Sequence, residues 1–460
     1  MIEITPELLA RYDRPGPRYT SYPTAVEFGE DFGPAEYTGR LQQASANPEA
    51  PLSLYVHLPF CEARCSFCGC HVVVARRQSV AEVYLDRVIA EADLLARRLG
   101  DRRALAQYHW GGGTPTYYGP ADLARLHRAL LERFDLAPDA EVALEVDPRV
   151  TTHQHLVALR ELGFNRISLG VQDVDEKVQD LIGRHQTWEQ THTLFEAARS
   201  LGFTSINIDL IYGLPGQNEV TFGETIAKVN GLRPDRLAVY SFAYVPWVRP
   251  NQKRIDREIL PDRDHKFALL AQVVEGFVGA GYRQIGMDHF ALPDDELAVA
   301  ADQGTLHRNF MGYTTKRDTE MLALGTSGIS DVAGAYAQNH KRLNSYYTSI
   351  DADELPIERG VALTYDDRVR RHVITELMCN SRVLATDVEA RFPIDFGDYF
   401  AAELEVLVTD PDLDGLVEVG EGVVQAIGLG HIFIRNVAMP FDAYLPGHQR
   451  QTQPVFSRTV

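Results

Sequence analysis

The sequence is short of positive charge, because 45 Lys and Arg residues stand against 64 Asp and Glu, a formal net charge of −19. A protein that binds nucleic-acid phosphates or an anionic membrane surface needs a basic face. We therefore expect neither nucleic acid nor membrane as a partner. An acidic substrate would need a local group of Arg and Lys residues that binds it against this overall charge.

Long hydrophobic runs are also missing, since no stretch approaches the roughly 20 apolar residues that a membrane-spanning helix needs. The first twenty residues lack the basic segment followed by an apolar one that is typical of a secretory signal. The composition, 45% hydrophobic and 24% charged in 460 residues, is typical of a globular protein with a large core and two domains. We predict a cytoplasmic protein and expect a monomer.

Cysteine is scarce, with five residues in the chain, and four of them lie within ten positions. This clustering argues against a secreted disulfide framework. Thiolates at Cys61, Cys65 and Cys68, spaced CxxxCxxC, can bind three corners of an iron–sulfur cube and leave one iron open. Structural zinc is the alternative, but it normally needs a second CxxC-type pair, which is absent. Cys70 could be a fourth ligand, but it follows Cys68 so closely that we expect a neighbouring non-ligand.

Short apolar or β-branched runs alternate with helical segments from Leu52 onward. We predict strands at Leu52–Leu58, Gln107–Trp110, Val142–Val146, Arg166–Leu169, Ser205–Leu210 and Leu237–Phe242. The first intervening helix is predicted to open at a capping box of Ser79 and Glu82 and to end at Gly100. Six β/α units with right-handed crossovers predict an α/β fold with a parallel sheet, an open partial (β/α)6 barrel. Ligands of such barrels bind at the C-terminal ends of the strands.

The remaining segments have a different texture. Residues 1–50 are rich in Pro, Gly and Tyr and predict an extended N-terminal arm, so that residues 51–360 would form the barrel domain with its extension. Residues 361–460 predict a mostly helical domain with two short strands, which resembles a winged-helix module. That domain holds eight Arg and no Lys against fifteen Asp and Glu, the wrong sign for DNA binding. We expect a packing or lid domain.

Unusual residues follow the predicted strands at the edge where ligands bind. Gly111–Thr116, with the sequence GGGTPT, could let backbone amides approach a ligand, or could be only a tight turn. Glu145 and Asp209 could bind ribose hydroxyls or an amino group, or could cap helices. Tyr55 and His57 share one face of the first strand, just ahead of Cys61, and could contact a ligand or simply pack.

The segment His307–Thr315 combines basic, aromatic and hydroxyl side chains in a predicted loop. Arg308, with Lys316 and Arg317, could clamp a carboxylate. An ordinary surface loop is the alternative.

These motifs together resemble the radical S-adenosylmethionine (SAM) enzymes, and within them the oxygen-independent coproporphyrinogen III oxidases. The resemblance covers nearly the whole chain. The segments that carry it are PRYTSYPTA at 17–25, HLPFCEARCSFCGC at 57–70, WGGGTPTY at 110–117, EVDPR at 145–149, GVQD at 170–173, IDLIYGLPGQ at 208–217, GMDHFALPDDELA at 286–298 and HRNFMGYTT at 307–315.

The resemblance implies a [4Fe-4S] cluster on Cys61, Cys65 and Cys68, and SAM cleaved at the open iron to a 5′-deoxyadenosyl radical. That radical would start the decarboxylation of two propionates of coproporphyrinogen III to vinyl groups, giving protoporphyrinogen IX in haem biosynthesis. An electron donor for the cluster and an electron acceptor, both unidentified, are implied as partners.

By matching position, the resemblance also implies roles for individual residues. Tyr55, Gly112 and Glu145 would hold SAM at the cluster and Ile329 would pack on it, while Phe310 matches an aromatic position implicated in activity. Met311 departs from the glutamine that relatives carry beside that Phe. A second SAM molecule would be bound by Phe67, Gly113, Thr114, Gln172, Arg184, Asp209 and Ala243.

A haem-binding chaperone of the same superfamily is the alternative function. Such relatives keep the cluster motif but lack both the CGC ending and the PRYTSYPTA arm, and this chain has both. A third class, an electron-carrying iron–sulfur protein, needs neither an open iron nor the GGGTP turn. We therefore expect the decarboxylating enzyme.

Overall fold

The computed structural model describes residues 11–317, 319–449 and 456–458. They form two compact units. The barrel unit comprises residues 28–276 and 318–362, and the helical unit comprises the described parts of 1–27, 277–317 and 363–460. The bounds predicted from the sequence, 1–50, 51–360 and 361–460, stay a prediction. No helix in the described ranges is long and apolar enough to cross a bilayer.

Six consecutive parallel strands form the centre of the barrel unit, the predicted open partial (β/α)6 barrel. They are β1 (Leu52–Leu58), β2 (Ala104–Gly112), β3 (Asp135–Val146), β4 (Arg166–Gln172), β5 (Ser205–Tyr212) and β6 (Arg236–Ser241), each paired with the next. The other edge of β1 pairs in parallel with β7 (Glu320–Leu324), beyond which the strands run antiparallel. These outer strands are β8 (Ile329–Val332), β9 (Ala335–Asn339) and β10 (Ile357–Ala362).

Amphipathic helices connect the parallel strands. Their bounds are Gln78–Leu99, Pro120–Leu131, His153–Glu161, Glu176–Ile182, Trp188–Ser200 and Glu219–Leu232. A further helix, Arg263–Gly279, follows β6 along the chain. The core beneath them is aromatic: Trp110 on β2 is fully buried and its ring lies 4.9 Å from that of Phe164, edge to face. Aromatic pairs of this kind stabilise a core beyond the area that they bury.

The first of these helices corrects one prediction. Gly100 ends it as expected, with φ +60°, but the helix begins at Gln78 rather than at Ser79, and no side chain caps it. The Gln78 side chain instead bonds to the carbonyl of Tyr117, 3.2 Å away. The capping box of Ser79 and Glu82 is therefore wrong, because Ser79 already lies inside the first turn.

The N-terminal segment is only partly extended. Residues 34–44 form a helix, Pro34–Ala44, which buries Tyr37 and Leu41 in the barrel unit. The prediction of an extended arm is wrong for this stretch, because its few buried side chains fall at helical spacing among polar ones. Residues 11–27 do run as an irregular segment of the helical unit, where Tyr19 donates to Asp442 over 3.0 Å.

The helical unit contains the predicted winged-helix-like arrangement. Helices Tyr365–Asn380 and Ala385–Arg391 flank an antiparallel sheet of Arg382–Leu384, Val423–Ala426 and Val417–Gly420. The unit also holds the antiparallel pair Arg283–Gly286 with His289–Ala291, and the helices Glu296–Gln303, Phe396–Tyr399, Ala401–Thr409, Ile434–Ala438 and Leu445–Gln449.

Candidate active site

A cavity of about 500 Å³ lies at the C-terminal ends of the parallel strands in the barrel unit. Twelve of the residues predicted from the sequence line it. They are Cys61, Cys65, Phe67, Cys68, Gly112, Gly113, Thr114, Glu145, Gln172, Arg184, Asp209 and Ala243. Residues from six different β/α units thus meet at one site, because the ends of parallel strands share one edge of the sheet.

The cysteine-bearing loop is tied down by two amides from residues 250–254, a short helical turn. The side-chain amide of Asn251 lies 3.0 to 3.2 Å from the carbonyl oxygens of Cys65, Ser66 and Cys68. Gln252 donates to the carbonyl of Phe67 over 3.2 Å. The backbone that carries the three thiols is therefore positioned by buried hydrogen bonds as well as by its spacing.

The three sulfur atoms have different neighbours. The Thr114 hydroxyl lies 3.3 Å from the sulfur of Cys61, and burial raises the pKa of that thiol to about 11. A hydrogen bond from Cys70 lowers the pKa of Cys68 to about 6. Cys65 is 6% exposed, and guanidinium groups of Arg149 and Arg184 lie 3.8 and 3.9 Å from its sulfur.

The donor set fits an iron–sulfur cube better than a single ion. In the described ranges, no three Cys, His, Asp or Glu side chains form a group that could hold one metal ion. Tetrahedral zinc needs its donors around one atom, whereas in a cube each thiolate binds a different iron and the thiolates stand farther apart. The three thiols on one loop, open to a cavity, suit the second arrangement.

The glycines after β2 are required by close contacts within the protein. A Cβ atom on Gly113 would lie 2.4 Å from the carbonyl oxygen of Pro59, and Gly112 has φ +126°. The amide of Gly112 donates to Glu145 over 3.2 Å. The two glycines therefore serve both predicted roles. They allow the tight turn in which the loop folds back against the end of β1, and the same turn brings the backbone close to the cavity.

Two carboxylates face the cavity from β3 and β5. Burial, with the charge of Glu145, raises the pKa of Asp209 to about 7, and Asp209 accepts hydrogen bonds from Ser168 (3.0 Å) and Asn207 (2.8 Å). Glu145 is more exposed and lies 3.7 Å from the imidazole of His109. Neither carboxylate caps a helix, so the ligand interpretation of both is the one that the geometry favours.

Tyr55 and His57 lie on β1 beside the cavity, although neither lines it. The Tyr55 hydroxyl is 3.1 Å from Nδ1 of His57, and Nε2 of His57 is 3.0 Å from the carbonyl of His71. Burial lowers the pKa of His57 to about 4. The ring is therefore neutral at pH 7, with the proton on Nε2, which donates to His71, while Nδ1 accepts from Tyr55.

Two other predicted residues are not among those that line the cavity. Ile329 begins β8, after the turn that follows β7. Phe310 belongs to the helical unit, at the turn between strands His307–Asn309 and Gly312–Thr314. The predicted loop at His307–Thr315 is thus wrong, because its residues alternate and pair in register as a hairpin.

Two of the three residues of the predicted carboxylate clamp, Arg308 and Arg317, are engaged within the protein. Arg317 forms an ion pair with Glu376. Arg308 donates to the backbone carbonyl of Arg18 over 2.9 Å and lies over the ring of Tyr313. Both side chains therefore have partners within the helical unit.

Sequence reasoning assigned no role to several residues that the structure brings to the site. Asp147, Arg149, Arg249 and Gln252 line the cavity, and Asn251 binds the loop behind it. The motif EVDPR contains Asp147 and Arg149, so their place directly after β3 could have identified them as site residues. No such pattern in the sequence marked Asn251 and Gln252, which follow β6 by about ten residues.

Comparison with known proteins agrees with this geometry. Residues 55–229 match the radical SAM superfamily. The chain is 46% identical over 454 residues to the oxygen-independent coproporphyrinogen III oxidase of Escherichia coli (strain K12), covering 98% of each chain. It is 44% identical to the protein of that name from Pseudomonas aeruginosa, covering 99% of this chain and 98% of that one.

A solved structure of coproporphyrinogen III oxidase from Escherichia coli, described as a radical SAM enzyme, superposes with a TM-score of 0.89. It is 47% identical in sequence, and the match covers 93% of this chain and 97% of that chain.

Proposed function

Because the chain belongs to the oxygen-independent coproporphyrinogen III oxidases, a family of radical SAM enzymes, we propose that it converts coproporphyrinogen III to protoporphyrinogen IX without oxygen. Two propionate side chains are oxidatively decarboxylated to vinyl groups, a step of haem biosynthesis. The observation that carries this proposal is the convergence of three thiols, two carboxylates and an arginine on one cavity of a chain related to these oxidases along nearly its whole length.

The cofactors are a [4Fe-4S] cluster and S-adenosylmethionine, which when bound supply the 5′-deoxyadenosyl radical that takes a hydrogen atom from a propionate. In this proposal Cys61, Cys65 and Cys68 bind three irons of the cluster. Cys70 stays outside the ligand set and donates its hydrogen bond to Cys68. Asn251 binds backbone carbonyls of the loop and so fixes the segment that carries the thiols.

Further residues would hold the nucleoside and methionine parts of SAM. Glu145 would offer a carboxylate to amino or hydroxyl groups, and Gly112 would allow close approach at the turn. Tyr55, whose hydroxyl lies 3.1 Å from Nδ1 of His57, would hold SAM with them, as the resemblance implies. By resemblance, Ile329 would pack on the same SAM molecule. A second SAM molecule would contact the residues matched for it by resemblance: Phe67, Gly113, Thr114, Gln172, Arg184, Asp209 and Ala243.

In the same proposal, Phe310 is the aromatic residue that the resemblance implicates in activity, and Met311 stands where the resemblance implies a glutamine. Each decarboxylation releases carbon dioxide and one electron, so an electron acceptor is required, besides the donor that reduces the cluster. Reduced thiolates favour a cytoplasmic location. The monomeric state is part of the proposal.

An anaerobic assay tests the function. The chain with reconstituted cluster receives dithionite, SAM and coproporphyrinogen III, and we expect 5′-deoxyadenosine together with protoporphyrinogen IX. C61A should lose the cluster absorbance and all product, whereas C379A, which replaces a buried cysteine of the helical unit, should keep both. Stable haem binding without product by the wild type would contradict the proposal and favour the chaperone.

A further inference from the structure

An acidic and two basic side chains form a buried group beside Cys65. Asp147 Oδ2 lies 2.6 Å from Nη2 of Arg149 and 3.1 Å from Nη1 of Arg184. The same two nitrogen atoms lie 3.8 and 3.9 Å from the sulfur of Cys65. One carboxylate thus holds two guanidinium groups against one thiol, and we call these three side chains the Asp147 triad.

The Asp147 triad brings a net positive charge to a largely buried position on the wall of the cavity. The side chains of Asp147, Arg149 and Arg184 are 9%, 22% and 7% exposed. Although burial acts to raise it, the two guanidinium groups hold the pKa of Asp147 below its usual value, so the carboxyl stays ionised. Two positive charges and one negative charge leave a net charge of +1 next to Cys65.

The other two cysteines have neutral groups as their hydrogen-bonding partners, although the charges of Arg64 and Arg184 also act on Cys68. A hydroxyl, that of Thr114, meets Cys61, and a thiol, that of Cys70, meets Cys68. The direct contact with a charged donor is at Cys65. Hydrogen bonds to cluster sulfurs and charges close to a cluster are among the main determinants of its reduction potential.

We infer that Arg149, oriented by Asp147, raises the reduction potential of the cluster through its contact with the sulfur of Cys65. The inference rests on the proposed binding of the cluster by Cys65. Reduction brings one electron to the cluster from a donor such as dithionite, and in a site of low dielectric the added negative charge is stabilised by the nearby guanidinium. Asp147 has two opposing effects, since it fixes Arg149 in place and partly offsets its charge.

Two substitutions of opposite charge separate this role from simple damage to the fold. R149Q removes a positive charge. D147N removes a negative charge, but its amide oxygen can still accept from the backbone amide and Nε of Arg149, which both lie 3.0 Å from Oδ1 of Asp147. Arg149 therefore stays in place in D147N, and the two substitutions should shift the potential in opposite directions. R149K keeps the charge without the planar fork. R254Q is the matched control, because Arg254 is exposed and touches the cysteine loop only at the backbone carbonyl of Arg64.

The measurement is an anaerobic redox titration of each reconstituted protein without SAM, followed by the electron paramagnetic resonance signal of the reduced cluster, with iron content measured in parallel. We expect R149Q to lower the ratio of reduced to oxidised cluster at a fixed potential at least tenfold, which is about 59 mV for one electron. R149K should fall between R149Q and the wild type, D147N should raise the ratio, and R254Q should leave it unchanged.

An unchanged midpoint in R149Q with full iron content would overturn the inference, as would shifts of R149Q and D147N in the same direction. An unchanged midpoint combined with weaker SAM binding would assign Arg149 to the SAM carboxylate instead. If R149Q loses its iron, its midpoint potential cannot be measured, and R149K and D147N are compared with the wild type instead. Unchanged midpoint potentials in both variants would refute the inference. Failure of the wild type to assemble a cluster would instead refute the proposed function.

Discussion

Arg435 offers a sharp test of how the N-terminal segment of the helical unit is held. It is 4% exposed, and its guanidinium donates to the carbonyl oxygens of Pro17 (2.8 Å), Arg458 (2.9 Å) and Gly16. The Gly16 amide in turn donates to the carbonyl of Ser457 over 3.0 Å. One buried side chain thus joins segments that lie more than 400 positions apart in the sequence.

The substitution R435M keeps much of the side-chain volume and removes all of these donors. Each buried acceptor left without a donor costs about 1 to 3 kcal/mol, and the lower end applies because water reaches the carbonyls once the segment loosens. R435M removes these three bonds and a fourth, longer one to the Ser457 carbonyl (3.4 Å). At about 1 kcal/mol for each of the three shorter bonds, local opening of residues 11–27 should become easier by about 3 kcal/mol. At about 1.4 kcal/mol per factor of ten, this is roughly a hundredfold.

Hydrogen–deuterium exchange with mass spectrometry on the full chain measures that opening. In R435M, peptides that cover Gly16 should exchange roughly a hundredfold faster, and R435K should be intermediate. The control is R458M, the same substitution at a side chain that is 61% exposed and pairs with Asp13. Asp13 is only 5% exposed, and Arg458 also donates to its backbone carbonyl over 2.9 Å. One such half-exposed pair contributes about 1 kcal/mol, so a change of about fivefold is expected, well below that of R435M.

Equal exchange of these peptides in R435M, R458M and the wild type would refute the reasoning, because it would mean that the buried carbonyls do not depend on Arg435. If R435M unfolds as a whole, the comparison of R435K with R458M gives the same test.

Three further predictions concern the barrel unit. Burial raises the pKa of Glu91 to about 7, so the folded state retains a proton that the unfolded state loses above pH 4.5. The stability of the wild type should therefore fall by about 3 kcal/mol as the pH rises from 4.5 to about 7. The melting temperature of E91Q should lack this fall, and the same pH dependence of the melting temperature in E91Q and the wild type would contradict the prediction. G113A should lower the melting temperature by several degrees, because its Cβ would lie 2.4 Å from a backbone carbonyl, while G39A, with nothing within 4 Å in an exposed helical turn, should be neutral or stabilising. N251A should retain less iron after gel filtration, since it removes the donor to three carbonyls of the cysteine loop; retention equal to the wild type would contradict this.

The cysteine loop and the strand ends are local features, and the sequence alone determined them. The spacing of Cys61, Cys65 and Cys68 limits which cluster they can bind, and β1 was predicted with its observed bounds, Leu52–Leu58. The residues after each strand could be assigned to one edge because parallel strands joined by right-handed crossovers all end on the same side. For this reason twelve of the predicted residues line one cavity.

Only the tertiary structure decided which distant side chains meet at that edge. The pattern of apolar residues reports which face of an element is buried, but not what lies against it. The contact of Arg149 with Cys65 spans 84 positions, and that of Asn251 with the same residue spans 186. The hairpin around Phe310 and the helix Pro34–Ala44 were missed for a related reason: short elements with few buried side chains form because of the partners that they find in the folded chain.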